Sequence, residues 1–171
     1  SSRQIILNGT VDGAHALTVN GTTDFRGEIG GTTPLASLTT EGGESSPYFC
    51  TTLGADVTTT GDQTFGTPVT ITSDTTFSGG NLSLSRIIGG GTSLNQNVEF
   101  DFADTTIQNA YAGPQFINIV DLTVTGTSTL IGTIQTTGNQ LFKGKAELDG
   151  DTTFLSGDGS INLAGGVGGG S

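Results

Sequence analysis

Val57-Thr-Thr-Thr-Gly61-Asp-Gln-Thr-Phe65-Gly-Thr-Pro-Val69-Thr-Ile-Thr-Ser73-Asp-Thr-Thr-Phe77 holds the pattern that decides the fold. An apolar residue is followed four positions later by Gly or Ser, and four beyond that by Phe. The pattern begins at Val57 and starts again at Val69. It recurs as Leu17-Gly21-Phe25, Leu122-Gly126-Leu130, Ile134-Gly138-Phe142 and Ala146-Gly150-Phe154, and the last three starts are 12 residues apart. Ile5, with Gly9, precedes Leu17 by the same 12. The quoted segment also recurs whole, since residues 134–154 match residues 57–77 at nine of 21 positions without a gap. Residues 122–134 match 17–29 at seven of 13. Fixed spacing with self-similarity is the signature of a repeat architecture.

Inside a unit, Val69-Thr-Ile71 and Leu122-Thr-Val124 alternate apolar and small polar residues, the period of a strand with one buried face. The Gly or Ser turns the chain, and the following Phe or Leu returns to the core. Composition agrees, because Gly, Thr and Ser together make up 74 of the 171 residues. Thr, Val, Ile and Phe favour strands and Gly favours turns, while no window shows a helical period. Short strands at this interval build either an all-β solenoid (a β-helix) with a 12-residue step or an antiparallel, jelly-roll-like β-sandwich. The regular step favours the solenoid, in which equivalent positions stack about 4.8 Å apart and form ladders of Phe on Phe and Thr on Thr.

The whole chain, 1–171, reads as a single β-repeat domain. Residues 39–55 form a loop or insertion, 97–120 are the least repetitive segment, and 165–171 are a Gly-rich tail with little to pack. The formal charge is −11, from 16 acidic and five basic residues. That balance repels phosphate backbones and anionic lipid, so nucleic acid is not expected as a partner. No apolar run approaches the roughly 20 residues of a membrane-spanning helix, so membrane insertion is not expected either. Ser-Ser-Arg-Gln lacks the pattern of a signal peptide, so a secreted chain would be a mature form or an excerpt. Cys50, the single cysteine, rules out an internal disulfide and a cysteine metal cage. It packs as a small hydrophobe or crosslinks two chains.

Three stretches carry a family likeness: Thr10-Val-Asp-Gly-Ala-His-Ala-Leu-Thr-Val-Asn20, Ile29-Gly-Gly-Thr-Thr-Pro-Leu-Ala-Ser-Leu-Thr-Thr40 and Val57-Thr-Thr-Thr-Gly-Asp-Gln-Thr-Phe65. They resemble the β-strand repeats of large bacterial surface proteins, the filamentous-haemagglutinin-like and autotransporter-like adhesins. The likeness covers residues 5 to 80 well and 122 to 163 more loosely. It implies a secreted or surface-anchored β-helix on the bacterial cell surface, with a structural or adhesive role. The cysteine departs from those repeats, which usually lack one.

Chemistry was sought at two groups of carboxylates, Glu99, Asp101 and Asp104, and Asp149, Asp151 and Asp158. Alternation puts Glu99 and Asp101 on one strand face, where oxygen ligands would suit calcium or a carboxylate pair would suit glycoside cleavage. The plainer reading is a solvated acidic face, and no enzyme activity is expected. His15 is the sole histidine and has no recognisable catalytic companions. Lys143 and Lys145 read as charges guarding a strand edge. Paired Thr would suit ice binding only in a regular array, and the motif varies too much along the sequence to predict one.

The expectation is therefore an extracellular structural protein without a cofactor: a self-associating filament, sheath or surface-layer subunit that polymerises head to tail. Cys50 and the strand-like Ile5, Ile6 and Leu7 are its candidate intermolecular contacts. The alternative is an adhesin segment that binds glycan or a host surface through Tyr48 and Phe49, the only adjacent aromatics.

Overall fold

The computed structural model describes residues 4–42, 50–89, 95–107 and 116–169, with the Ile88 side chain left out. Its strands, in chain order, begin with β1 (Gln4–Leu7), β2 (Ala16–Asn20), β3 (Thr22–Phe25), β4 (Ser37–Glu41), β5 (Thr51–Leu53), β6 (Val57–Thr58) and β7 (Gln63–Phe65). Next come β8 (Val69–Ile71), β9 (Thr75–Ser78), β10 (Asn81–Leu84), β11 (Ile87–Gly89), β12 (Gln96–Asp101), β13 (Asp104–Ile107) and β14 (Phe116–Ile117). The last six are β15 (Ile119–Val124), β16 (Thr127–Thr136), β17 (Gln140–Phe142), β18 (Ala146–Ser156), β19 (Ile161–Leu163) and β20 (Val167–Gly169).

These strands form three sheets in which every strand pair is parallel. Sheet A runs β1-β3-β5-β8-β11-β14, sheet B runs β6-β9-β12-β15-β17-β19, and sheet C runs β2-β4-β7-β10-β13-β16-β18-β20. The chain visits A, B and C in rotation, so each circuit is one turn of a three-faced β-solenoid of about seven turns. The solenoid expected from the sequence is the fold, and the antiparallel sandwich is excluded by the parallel pairing.

The 12-residue step is corrected. Successive turns lie about 21 residues apart, as where Leu17 pairs with Leu38 and Phe142 with Leu163. The physical reason is that one face plus one corner is the unit that the local sequence encodes. Leu122, Gly126 and Leu130 occupy β15, a corner and β16, on two adjacent faces. Val57 and Val69, 12 apart, sit on sheets B and A of the same turn. A step of 12 thus moves two faces around the solenoid, whereas stacking requires three.

Inward-facing side chains stack into columns. One begins with the bridges Val11–Ile29–Val57 and continues through Phe77, Phe100, Val124 and Phe142 to Leu163. The Phe ladder is present in part: Phe77 pairs in register with Phe100, their ring centroids 5.5 Å apart, edge to face. Across the interior, Phe65 meets Phe77 at 5.7 Å and Phe142 meets Phe154 at 5.6 Å. Such edge contacts add about 0.5–1.5 kcal/mol beyond simple burial. Each ring has turns above and below it, which is how a narrow core leaves Phe77, Phe100 and Phe142 with no exposed surface.

Two stretches read as irregular are built into the solenoid. Residues 97–107 supply β12 and β13, and the Gly-rich end supplies β20, whose Val167–Gly169 pairs with Ala146–Leu148. In β16 the strand rounds a corner. Gly132 takes φ +93°, a left-handed conformation that only Gly adopts without strain, and the register shifts between Leu130 and Gly132. Beyond that bend the second halves of β16 and β18 pair with each other, past β14.

Candidate functional site

The end turns differ from the turns between them. Ile5 and Leu7 of β1 pair with Thr23 and Phe25, which face the core, so they point inward too. With no described turn beyond them, Ile5 is 38% exposed and Ile6, on the outer side, 44%. At the opposite end, Ile161 stacks on buried Gln140 and Val167 on buried Ala146, yet they are 40% and 52% exposed. Phe154 and Leu163 pack against the core from the same turn and are half-buried. Both ends therefore present apolar side chains beside strand edges with free N–H and C=O groups.

The corners carry a device that spacing alone did not reveal. Asp12 Oδ1 accepts the backbone N–H groups of Thr32 and Thr33 at 2.9 and 3.2 Å, one turn on. Asp56 accepts that of Thr76, Asp62 that of Asn81 and Asp74 that of Asn97. Asp121 accepts the N–H of Asn139, whose own Oδ1 takes that of Ser160. Each carboxylate or amide thereby satisfies a donor that lies outside the strand ladder. For Asp12 these backbone bonds hold the carboxyl below its ordinary value of 3.8. A legible signal existed: Asp56, Asp62, Asp74, Asp121 and Asn139 each stand one residue before a strand begins.

Inside, Gln63 and Gln140 form matching sockets. The Gln63 amide Nε2 donates to Val57 O, Thr59 Oγ1 and Ser78 O at 3.3, 3.3 and 2.9 Å. The Gln140 amide makes the same three bonds to Ile134 O, Thr136 Oγ1 and Leu155 O at 3.2, 3.2 and 2.7 Å. In both, the Thr hydroxyl donates onward to a Gly carbonyl, Gly61 or Gly138. The duplication seen in the sequence is therefore also a duplication of internal chemistry.

On the outer side of sheet C, Thr18, Thr39, Thr64, Ser83, Thr106 and Thr129 stand in register on successive turns, until Glu147 ends the column. This is the expected Thr ladder, and it occupies one column rather than a flat array of several.

The predicted site residues are only partly brought together. Glu99 and Asp101 do share the outer face of β12, while Asp104 begins β13 on sheet C. Glu99 lies 3.7 Å from Lys143, and Asp101 accepts the Thr125 hydroxyl at 2.9 Å. Asp149 and Asp151 flank the Gly150 corner within β18, and Asp158 sits in the corner before β19. A shallow cavity of about 330 Å³ is lined by Asp56, Asp74, Glu99 and Asp121 with Asn97 and Thr123. Among the described residues, no three acidic, His or Cys side chains form a group able to hold a metal. Lys145 pairs with Glu147 at 2.8 Å. His15 is exposed at a corner. Cys50 is free and half-buried, and its carbonyl accepts the Thr23 N–H just before β5. Tyr48 and Phe49 lie outside the described residues.

The geometry defines a class, a three-faced parallel β-solenoid whose described turns end in apolar edges. No family model, curated protein or solved structure matches the chain. Among the described residues, no helix is long and apolar enough to cross a membrane.

Proposed function

We propose that the chain is a non-enzymatic extracellular structural protein of a bacterial cell surface, a self-associating subunit of a filament, sheath or surface layer. The observation that carries this reading is the pair of end turns, with Ile5 and Leu7 at one end and Ile161 and Val167 at the other. These side chains belong to columns that are buried in every interior turn. Stacking a further turn on either edge buries apolar surface worth about 25 cal/mol per Å² and pairs the free backbone groups. The −11 charge and the scarcity of Lys and Arg suit a protein that meets extracellular proteases.

Electron microscopy and sedimentation velocity of the purified chain, with and without reductant, test the reading. Fibres or a ladder of oligomers are expected as concentration rises. Loss of those species under reductant would assign Cys50 a crosslinking role, whereas persistence would leave the stacked edges as the whole interface. Uniform single-chain particles at every concentration would sink the proposal.

A further inference from the structure

The two end turns match each other in phase as well as in polarity. The first described turn begins on sheet A with β1, passes sheet B at Val11 and closes on sheet C with β2. The last turn runs in the same order, through Thr152–Ser156 beyond sheet A, β19 on sheet B and β20 on sheet C. The columns show what such a match would place in contact. The sheet B column opens with Val11 and closes with Leu163, apolar at every level between. On sheet C one inward column opens with Leu17 and closes with Val167, and its neighbour opens with Val19 and closes with Gly169.

Charge points to the same occupant. The chain has 16 acidic residues, yet Gln4-Ile-Ile-Leu7, Ala16-Leu-Thr-Val-Asn20, Thr152-Thr-Phe-Leu-Ser156, Ile161-Asn-Leu163 and Val167-Gly-Gly169 contain no charged residue and no Pro. Exposed strand edges are ordinarily guarded by Lys, Pro or a bulge against pairing with another chain. Here none of these edge strands has a charge or a Pro, and two copies with a large like charge could approach through these ends with least repulsion.

We infer that the partner of each end is the opposite end of a second copy, joined in phase so that sheets A, B and C of one chain continue into sheets A, B and C of the next. The inference rests on the self-association reading above and adds its polarity and register. The junction is heterologous, so it propagates without closing. Leu163 lies over Val11 of the next copy, Val167 over its Leu17, and the Thr column of sheet C resumes after Glu147 and Gly168 at Thr18.

Two sets of variants test it. Ile5→Lys blocks the first turn and Val167→Lys the last, both at positions already exposed, with circular dichroism confirming that each folds. Each variant alone should sediment as one chain, and an equimolar mixture should double in mass and stop there. The register is read from Thr10→Cys with Asn162→Cys in a Cys50→Ser background. Leu163 over Val11 sets these positions on adjacent strands about 4.8 Å apart, within disulfide reach. Oxidation should give a ladder of covalent multimers at about ten times the yield of the out-of-phase pair Thr18→Cys with Asn162→Cys. Dimers formed by either lysine variant alone, or equal yields from the two cysteine pairs, would overturn the in-phase junction while leaving self-association standing. A wild-type chain that stays monomeric hands both ends to another occupant and overturns both readings.

Discussion

Residues 57–78 and 134–155 contain the same glutamine socket, but the first is set in sheet C and the second in sheet B. The three faces are thus close to interchangeable, and a segment can be re-used one face round without changing its bonds. What differs is what lies beyond. β7 stands between β4 and β10, with Leu38 below Gln63 and Leu82 above it, only 2% exposed. β17 stands between β15 and β19, and the residue above Gln140 is Ile161, 40% exposed. Identical chemistry therefore has full cover in one place and half cover in the other. In a quasi-one-dimensional fold, stability is set by nearest neighbours, so the same substitution should weigh differently at the two sites.

The largest effect is expected where cover is complete. Phe100→Ala removes a fully buried ring between Phe77 and Val124 and should cost about 3–5 kcal/mol in urea unfolding. Phe154→Ala, in the last turn, should cost less than half of that. Equal losses would show that the end turn is as tightly held as the middle. The sockets give the sharper comparison. Gln63→Ala strands two buried carbonyls and should cost about 2–3 kcal/mol, whereas Gln140→Ala should cost about 1 kcal/mol because water reaches the last turn. Hydrogen exchange should show the same order, with the amides of β19 and β20 opening before those of β7.

Corners contrast in the same way. A Cβ at Gly126 would collide with the backbone carbonyls of Phe102 and Ala103, so Gly126→Ala should destabilise by about 1–3 kcal/mol. Nothing lies near a Cβ at Gly9, in the first turn, and Gly9→Ala should be neutral or stabilising by up to about 1 kcal/mol. A matching loss at both would remove the distinction between interior and end corners in thermal melts.

The smallest effect concerns acid. Two backbone N–H groups favour the ionised form of Asp12 and lower its pKa in the folded chain. Its contribution is complete above the ordinary value of 3.8 and fades as pH falls through the lower folded value. Asp12→Asn should flatten that acid limb slightly, read as melting temperature between pH 5 and pH 2. An unchanged limb would show that the corner bonds of Asp56, Asp62, Asp74 and Asp121 govern it instead.

Strand, corner and duplication were legible from Val57 to Phe77 because each is written within eight or nine residues: alternation marks the strand, and Gly or Ser marks the turn. The outward pairing of Glu99 and Asp101 was legible for the same local reason. Gln63 was visible as a matched position, yet its burial was not, since an amide enters a core only when carbonyls from three segments converge on it. The capping role of Asp56 or Asp121 was equally hidden, because its donor belongs to the next turn.

The sequence by itself determined the β class, the face-and-corner unit and the presence of an internal copy, all of which depend on short-range periodicity. Only the tertiary structure decided that three faces make a turn, that turns repeat about every 21 residues, and that Val11 and Leu163 begin and end one column. Those follow from how many corners close a circuit before a strand meets its neighbour. Closure is a long-range condition on backbone pairing, and a 12-residue pattern carries no record of it.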